Sequence, residues 1–104
     1  MVRTVNAIAA FRELIKGTKP VAVDFFATWC GPCRVIGPFF EELSTKFSDI
    51  EFIKVDVDQA AEIATEMGIT AMPTFMFFKD GKKVTQVTGA DRGQLERAVE
   101  SLRK

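Results

Sequence analysis

The residues that this chain lacks argue against several classes of protein. Its 104 residues include no histidine, no tyrosine, one tryptophan and two cysteines. Lysine plus arginine and aspartate plus glutamate each number 14, so the basic excess typical of nucleic-acid-binding proteins is missing. No apolar run approaches the roughly 20 residues that span a bilayer. We therefore expect neither nucleic acid nor a membrane among its partners.

The N-terminal segment does not have the pattern of a secretion signal. Its apolar run extends from Ala7 to Phe11 and is followed by the charged residues Arg12 and Glu13. A secretory signal needs an apolar centre of about 7–15 residues. We expect a cytoplasmic, monomeric protein, and the length, without internal repeats, predicts a single domain over residues 1–104.

The cysteine content argues against a disulfide-stabilised scaffold. Such scaffolds have more cysteines, which join distant segments. A bridge between Cys30 and Cys33 would close a short loop and contribute about 2 kcal/mol on the chain-entropy argument, compared with about 4.7 kcal/mol for a 100-residue loop. The pair is therefore better explained by chemistry than by global stability.

Hydrophobic periodicity predicts alternating helices and strands. The run over residues 21–27 is apolar on both faces except at Asp24, which is typical of a central strand covered by helices on each side. The expected elements are a helix capped by Asn6 and ending before Gly17, the strand 21–27, a helix from about Pro32 that Pro38 kinks, a strand over 50–58, a short helix ending at Gly68, a hairpin over 74–88 that turns at Asp80-Gly81, and a last helix starting at Asp91. This order predicts an α/β fold with a mixed sheet, in which functional sites lie beyond the carboxyl end of a central strand.

Three interpretations compete for Cys30 and Cys33, which occupy that position. A zinc site needs four ligands, and a chain with two cysteines and no histidine could complete one only across a dimer. Two inert core thiols are the second interpretation, because free cysteine is often buried as a small apolar residue. Reversible dithiol–disulfide chemistry is the third.

The spacing of the two cysteines suits the third interpretation. Side chains three positions apart in a first helical turn have Cβ atoms about 5–6 Å apart, and slight tightening brings them to the roughly 3.5–4.5 Å of a disulfide. Pro32 stiffens the turn and lacks an N–H that would be unpaired there. Unpaired amides and the helix dipole favour a thiolate at Cys30. We therefore expect Cys30 to be the exposed, attacking thiol and Cys33 the resolving thiol.

The motifs around this pair resemble those of the thioredoxin family. The sequence "WCGPC" follows "VDFFAT", with "TAMPTF", "KDGK" and "VTGA" downstream in that order, and the similarity covers essentially the whole chain. The resemblance implies an α/β thioredoxin fold, with a central five-stranded mixed sheet flanked by four helices, the first three strands parallel and the hairpin strands antiparallel to their neighbours. It implies a redox-active Cys30–Cys33 disulfide with Gly31 and Pro32 between the thiols.

The same resemblance implies a function in electron transfer to other proteins. The chain would be a thiol-disulfide oxidoreductase that reduces disulfide-containing target proteins and is re-reduced by an external thioredoxin reductase. NADPH would serve only through that flavin-containing reductase, because the sequence has no glycine-rich phosphate motif and we expect no bound cofactor or metal. An oxidase or isomerase is the rival within the fold, and a redox-inactive binding module is the rival from another class.

Asp24 and Lys54 are candidates for proton transfer. A carboxyl among Val23, Phe25 and Phe26 should have a raised pKa and could accept a proton from Cys33 through a water. The simpler alternative is an acid at the strand end that reaches solvent. The resemblance makes Lys54 a partner that tunes the charge of Asp24, whereas the simpler alternative is an exposed strand lysine.

The resemblance also implies an apolar docking surface around the thiols. Its positions here are Trp29, Gly31, Pro32, Val57, Ala71, Met72, Pro73, Gly89 and Ala90. The Met72–Pro73 bond would be cis and lie against the cysteines, so that the Met72 backbone could pair with a substrate strand. The simpler role for Pro73 is to begin a strand. Phe26 and Thr88 depart from the family pattern, in which tryptophan and an aliphatic residue are common.

Overall fold

The computed structural model describes residues 1–103, which form a five-stranded sheet flanked by four helices. In chain order the elements are β1 (Arg3–Thr4), α1 (Ile8–Lys16), β2 (Val21–Phe26), α2 (Gly31–Lys46), β3 (Glu51–Asp56), α3 (Ala61–Met67), β4 (Thr74–Lys79), β5 (Lys82–Thr88) and α4 (Arg92–Leu102). Within these described residues no helix combines the length and apolar character of a membrane span.

The strand order is β1-β3-β2-β4-β5, which puts β2 at the centre of the sheet. Strands β1 and β2 both run parallel to β3, whereas β4 runs antiparallel to β2 and β5 antiparallel to β4. The topology that the family resemblance implied is therefore confirmed. Periodicity alone missed β1, because its two exposed residues give too short a pattern to detect.

The sheet separates two hydrophobic clusters, as a strand that is apolar on both faces requires. One cluster packs α2 and α4 against the sheet face that carries Ala22, Phe52, Phe75 and Phe77. The other packs α1 and α3 against the face of Val23, Phe25, Ile53 and Met76. Side chains alternate along a strand, so Asp24 and Lys54 share the first of these faces with Ala22 and Phe52.

Most of the expected element boundaries are confirmed, and one cap is wrong. Helix α1 ends before Gly17, Asp91 caps α4 by accepting from the Gln94 N–H at 3.0 Å, and the hairpin turns at Asp80 and Gly81 with φ of 53° and 78°. Helix α1, however, is preceded by Ala7 and has no side-chain cap. The side-chain oxygen of Asn6 instead accepts a hydrogen bond from the backbone N–H of Asp56 at 3.1 Å.

Candidate active site

The two cysteines lie at the N-terminus of α2, beyond the carboxyl end of β2. Cys30 is the N-cap residue and forms a disulfide with Cys33, with their Cα atoms 5.3 Å apart. The backbone N–H of Cys33 donates a hydrogen bond to Cys30 Sγ at 3.2 Å. Gly31 and Pro32 complete the turn, where the proline lacks only an N–H that no helical carbonyl would accept. The helix N-terminus thus stabilises negative charge at Cys30.

The expected difference in exposure between the two thiols is not seen in this disulfide form. Cys30 and Cys33 are each 5% exposed. The prediction of an exposed Cys30 is therefore wrong for the oxidised state, in which both cysteines pack in one cluster with Ala27. Their positions still differ, since Cys30 precedes the helix and Cys33 lies inside its first turn.

Asp24 is buried on β2 beneath this turn. Its side chain is 4% exposed and its Oδ1 atom has no hydrogen-bond partner. Burial raises the pKa of this carboxyl from 3.8 to about 7, although the positive charge of Lys54 lowers it in part. The alternative in which Asp24 reaches solvent is wrong. This carboxyl changes charge close to neutral pH.

A cavity of about 570 Å³ connects Asp24 to the active-site turn. Asp24, Cys33 and Lys54 all line it, together with Val2, Phe26, Ala27, Thr28, Arg34, Gly37, Pro38, Phe40 and Glu41. A water molecule occupies roughly 30 Å³ in the liquid, so the space admits water between the carboxyl and Cys33. Neither Trp29 nor Cys30 belongs to this lining. The two thiols therefore face different surroundings.

Lys54 lies beside Asp24 on the neighbouring strand. The two residues are register partners in the parallel pairing of β2 with β3, and the Lys54 side chain is half-buried. Its Nζ lies 5.7 Å from the centroid of the Phe26 ring. The alternative of a fully exposed strand lysine is therefore wrong. The ammonium group is close enough to the carboxyl to lower its pKa.

A second group of expected site residues surrounds the turn on its outer side. The Met72–Pro73 bond is cis, as the resemblance implied, and Pro73 is buried just before β4. Met72 and Val57 pack against a small cluster formed by Ala27, Cys30 and Cys33. The Gly89 N–H donates to the Pro73 carbonyl at 2.9 Å, which brings Gly89 and the exposed Ala90 next to the proline. Ala71 is also exposed, and Thr74 Oγ1 donates to its carbonyl oxygen.

Trp29 is the large exposed side chain of this region, with 65% of its surface accessible. Its indole N–H donates to Asp58 Oδ2 at 2.9 Å. The sequence analysis missed Asp58, because an acid one position beyond a docking residue has no distinctive pattern. It also missed Arg34, whose guanidinium donates to the Thr28 carbonyl at 2.9 Å and braces the loop before Cys30. The only feature of the sequence that could have indicated Arg34 is its position directly after Cys33.

The bonded pair favours the redox interpretation over the other two. Neither cysteine is a free thiol in this structure, which contradicts the interpretation as two inert core thiols. Within residues 1–103 no group of three or more potential metal-ligating side chains lies together. A reactive disulfide at a helix N-terminus, next to a cis proline on an α/β sheet, defines a thiol-disulfide oxidoreductase.

Comparisons with known proteins identify the family within that class. The family model for thioredoxin matches residues 2–101, and the chain belongs to the thioredoxin family. It is 49% identical to thioredoxin of Gallus gallus, over 98% of this chain and 99% of that protein. It is 48% identical to thioredoxin-1 of Schizosaccharomyces pombe, over 97% and 98%. The crystal structure of Malassezia sympodialis thioredoxin superimposes with a TM-score of 0.94 at 45% identity, covering 99% of this chain and 94% of the other.

Family membership and the paired cysteines establish the general activity. The protein is a thiol-disulfide oxidoreductase with the function of a disulfide reductase. Its partners, in general terms, are proteins that contain disulfides and a reductase that restores the dithiol.

Proposed function

We propose that the protein reduces target disulfides through a two-step exchange in which Cys30 attacks and Cys33 resolves. The Cys30 thiolate attacks one sulfur of the target disulfide, forms a mixed disulfide and releases the other target sulfur as a thiolate. The Cys33 thiolate then attacks Cys30 Sγ, which forms the Cys30–Cys33 disulfide and releases the second target thiolate. Two electrons pass from the dithiol to the target.

The assignment of Cys30 as the attacking thiol rests on the helix N-terminus. The Cys33 N–H donates to Cys30 Sγ, and the positive end of the α2 dipole lies at the same sulfur. Both interactions stabilise the thiolate of Cys30 once the disulfide is reduced. Cys33 does not receive this stabilisation and needs a base.

Asp24 serves as that base for Cys33. Both residues line one cavity, the carboxyl Oδ1 has no hydrogen-bond partner, and its pKa of about 7 suits proton transfer near neutral pH. A water in the cavity carries the proton from the Cys33 thiol to Asp24. Lys54 sets the pH range of this step, because its charge favours the ionised form of the carboxyl.

The docking surface binds target segments beside Cys30. Apolar contacts come from Trp29, Val57, Ala71, Met72, Pro73, Gly89 and Ala90. Gly31 and Pro32 keep the turn between the thiols free of bulky side chains, so that a target can approach. The backbone of Met72 pairs with an extended target segment, since main-chain hydrogen bonds bind strands of different sequence. Such contacts suit partners that share a disulfide but differ in sequence.

The physiological setting completes the proposal. We propose that the protein works as a cytoplasmic monomer with one domain over residues 1–104. It takes part in electron transport by receiving electrons from NADPH through a flavin-containing thioredoxin reductase, and it binds no cofactor itself. The match of the thioredoxin family model over residues 2–101 supports a single domain that is served by a reductase.

The observation that carries the proposal is the Cys30–Cys33 bond at the α2 N-terminus, and a redox titration tests it. The emission of Trp29, the sole tryptophan, is followed against a dithiothreitol buffer. We expect a midpoint near −270 mV, which is the reference value for thioredoxin itself. A midpoint of about −180 to −120 mV would instead indicate an isomerase or oxidase that donates disulfides.

A trapping experiment tests the order of the two thiols. With reduced protein and a protein disulfide, Cys33→Ser should accumulate a mixed disulfide through Cys30, because no resolving thiol is left. Cys30→Ser should form little mixed disulfide. Equal trapping by the two variants would contradict the assignment. Loss of both cysteines with unchanged function in a cellular assay would favour the binding-module alternative.

A further inference from the structure

The turn that follows β3 is built around the carboxylate of Asp56. This residue is 9% exposed, and its Oδ1 accepts hydrogen bonds from the backbone N–H of Asp58 at 2.9 Å and of Gln59 at 3.3 Å. Its carbonyl accepts from the Ala60 N–H at 2.8 Å. A side-chain oxygen that accepts from amides two and three positions ahead fixes the path of the turn.

This turn supplies two groups to the active-site surface. Val57 packs against the cluster of Ala27 and the two cysteines, and its N–H donates to the Phe26 carbonyl at 2.9 Å. Asp58 Oδ2 accepts from the Trp29 indole at 2.9 Å. The exposed ring of Trp29 is therefore oriented by a residue whose own backbone is held by Asp56.

Asp56 is in turn anchored from the N-terminal segment. Its backbone N–H donates to Asn6 Oδ1 at 3.1 Å, which is the bond that takes Asn6 away from capping α1. A continuous series of hydrogen bonds thus runs from Asn6 through Asp56 and Asp58 to Trp29. Burial of the Asp56 carboxylate is unfavourable unless it is hydrogen-bonded, so the backbone N–H groups of Asp58 and Gln59 are needed to hold it there.

We propose that Asp56 is a positioning residue for the docking of protein disulfides, acting through Asp58 on the Trp29 ring. The proposal rests on the reductase function above, in which Trp29 contacts the target. Asp56 does not touch the reacting sulfurs, so it affects how a protein target binds beside Cys30. Attack on a small disulfide, which makes few contacts with the docking surface, does not depend on it.

Rate constants of the pre-reduced protein with two disulfides test this proposal. Insulin serves as the protein disulfide and bis(2-hydroxyethyl) disulfide as the small one. Asp56→Ala and Asp58→Ala should each lower the rate constant with insulin about threefold to tenfold, which is the usual effect of losing a hydrogen bond that aids binding. Each should change the rate constant with bis(2-hydroxyethyl) disulfide less than twofold. Asp56→Asn should retain most of the insulin rate, because its amide oxygen can accept the same N–H groups.

A double-mutant cycle and a spectroscopic readout separate positioning from stability. The double variant of Asp56→Ala and Asp58→Ala should be no slower with insulin than Asp58→Ala alone, since both act through one contact. Asp49→Ala is the matched control: it removes one negative charge at the opposite end of β3, where Asp49 pairs with Arg103. Trp29 fluorescence anisotropy should fall in Asp56→Ala and stay unchanged in the control.

Several outcomes would overturn the proposal. Equal slowing of both disulfides, effects that multiply in the double variant, or a Trp29 anisotropy in Asp56→Ala equal to that of the unchanged protein would each leave Asp56 with a role in stability alone. If Asp56→Ala does not fold, Asp56→Asn must retain most of the insulin rate and Asp58→Ala must still slow insulin selectively for the proposal to stand. Failure of the unchanged protein to reduce either disulfide would contradict the reductase function, whereas the anisotropy comparison still decides the positioning role.

Discussion

Asp24 and Cys33 line the same cavity, although one lies on the central strand and the other in the first turn of α2. Strand β2 ends at Phe26 and α2 begins at Gly31, so the short loop between them brings the first turn of the helix close to the strand that carries Asp24. The Asp24 carboxyl and Cys33 thereby share one cavity with room for water.

Asp24→Asn should make the oxidised protein more stable near neutral pH. A carboxyl whose pKa is raised by folding binds its proton more tightly in the folded state, so the free energy of unfolding falls as pH rises from about 4 towards 7. Between pH 5 and 7.5 this loss is about 2–3 kcal/mol. Asp24→Asn should not show this loss of stability with rising pH, which urea denaturation at a series of pH values will measure.

Few other groups interfere with this stability measurement. The chain has no histidine, and the disulfide-bonded cysteines do not titrate. The pKa values of Asp49 and Glu66 are lowered by ion pairs with arginine, so these carboxyls are ionised throughout the range. An equal pH dependence in the Asn variant and the unchanged protein would show that Asp24 does not titrate there.

The same substitution should slow the resolution step but not the first attack. Without the Asp24 carboxylate, the buried base that accepts the Cys33 proton is lost, and general base catalysis contributes roughly 10²-fold or more. Release of a mixed disulfide formed on Cys30 should therefore slow at least tenfold at pH 7.5. Stopped-flow fluorescence resolves the two steps. The first attack measured with a Cys33→Ser background is the control, and slowing of that step would place Asp24 at Cys30 instead.

Lys54→Met should move the titration of Asp24 to higher pH. The ammonium group lowers the pKa of the carboxyl, and methionine keeps a long unbranched side chain against Phe26 without the charge. The pH profile of mixed-disulfide release should shift upwards accordingly. Lys46→Met is a suitable control, because Lys46 is exposed and pairs with Glu96 on α4. A shift of the same size in the control would indicate a general charge effect.

The sequence was sufficient for the parts of the molecule that depend on local patterns. The turn at Asp80-Gly81, the cap at Asp91 and the buried run around Asp24 all follow from residues adjacent in the chain, where backbone preference and periodicity are informative. The family resemblance added features that local patterns do not contain, namely a sheet of five strands, which includes the short β1, and the cis bond before Pro73.

The remaining features depend on contacts between distant segments. The hydrogen bond between Asn6 and Asp56 joins the N-terminal segment to the end of β3, and that between Trp29 and Asp58 joins two loops. Neither pairing leaves a mark on the local sequence. The burial of Cys30 and Cys33 likewise depends on distant segments, since Val57 and Met72 pack against the cluster that holds them.

Removal of the two side chains that were expected to cap helices, Asp91 and Asn6, should destabilise different parts of the molecule. Asp91→Ala removes the acceptor for the Gln94 N–H and should lower the free energy of unfolding by about 1 kcal/mol, with Asp91→Asn retaining most of the stability. Asn6→Ala also removes one acceptor, but its donor is the Asp56 N–H, so the loss should appear in the turn after β3. Amide hydrogen exchange distinguishes the two cases. For Asn6→Ala we expect faster exchange of the Asp56 amide and unchanged exchange in the first turn of α1. Faster exchange confined to α1 would show that Asn6 caps this helix after all.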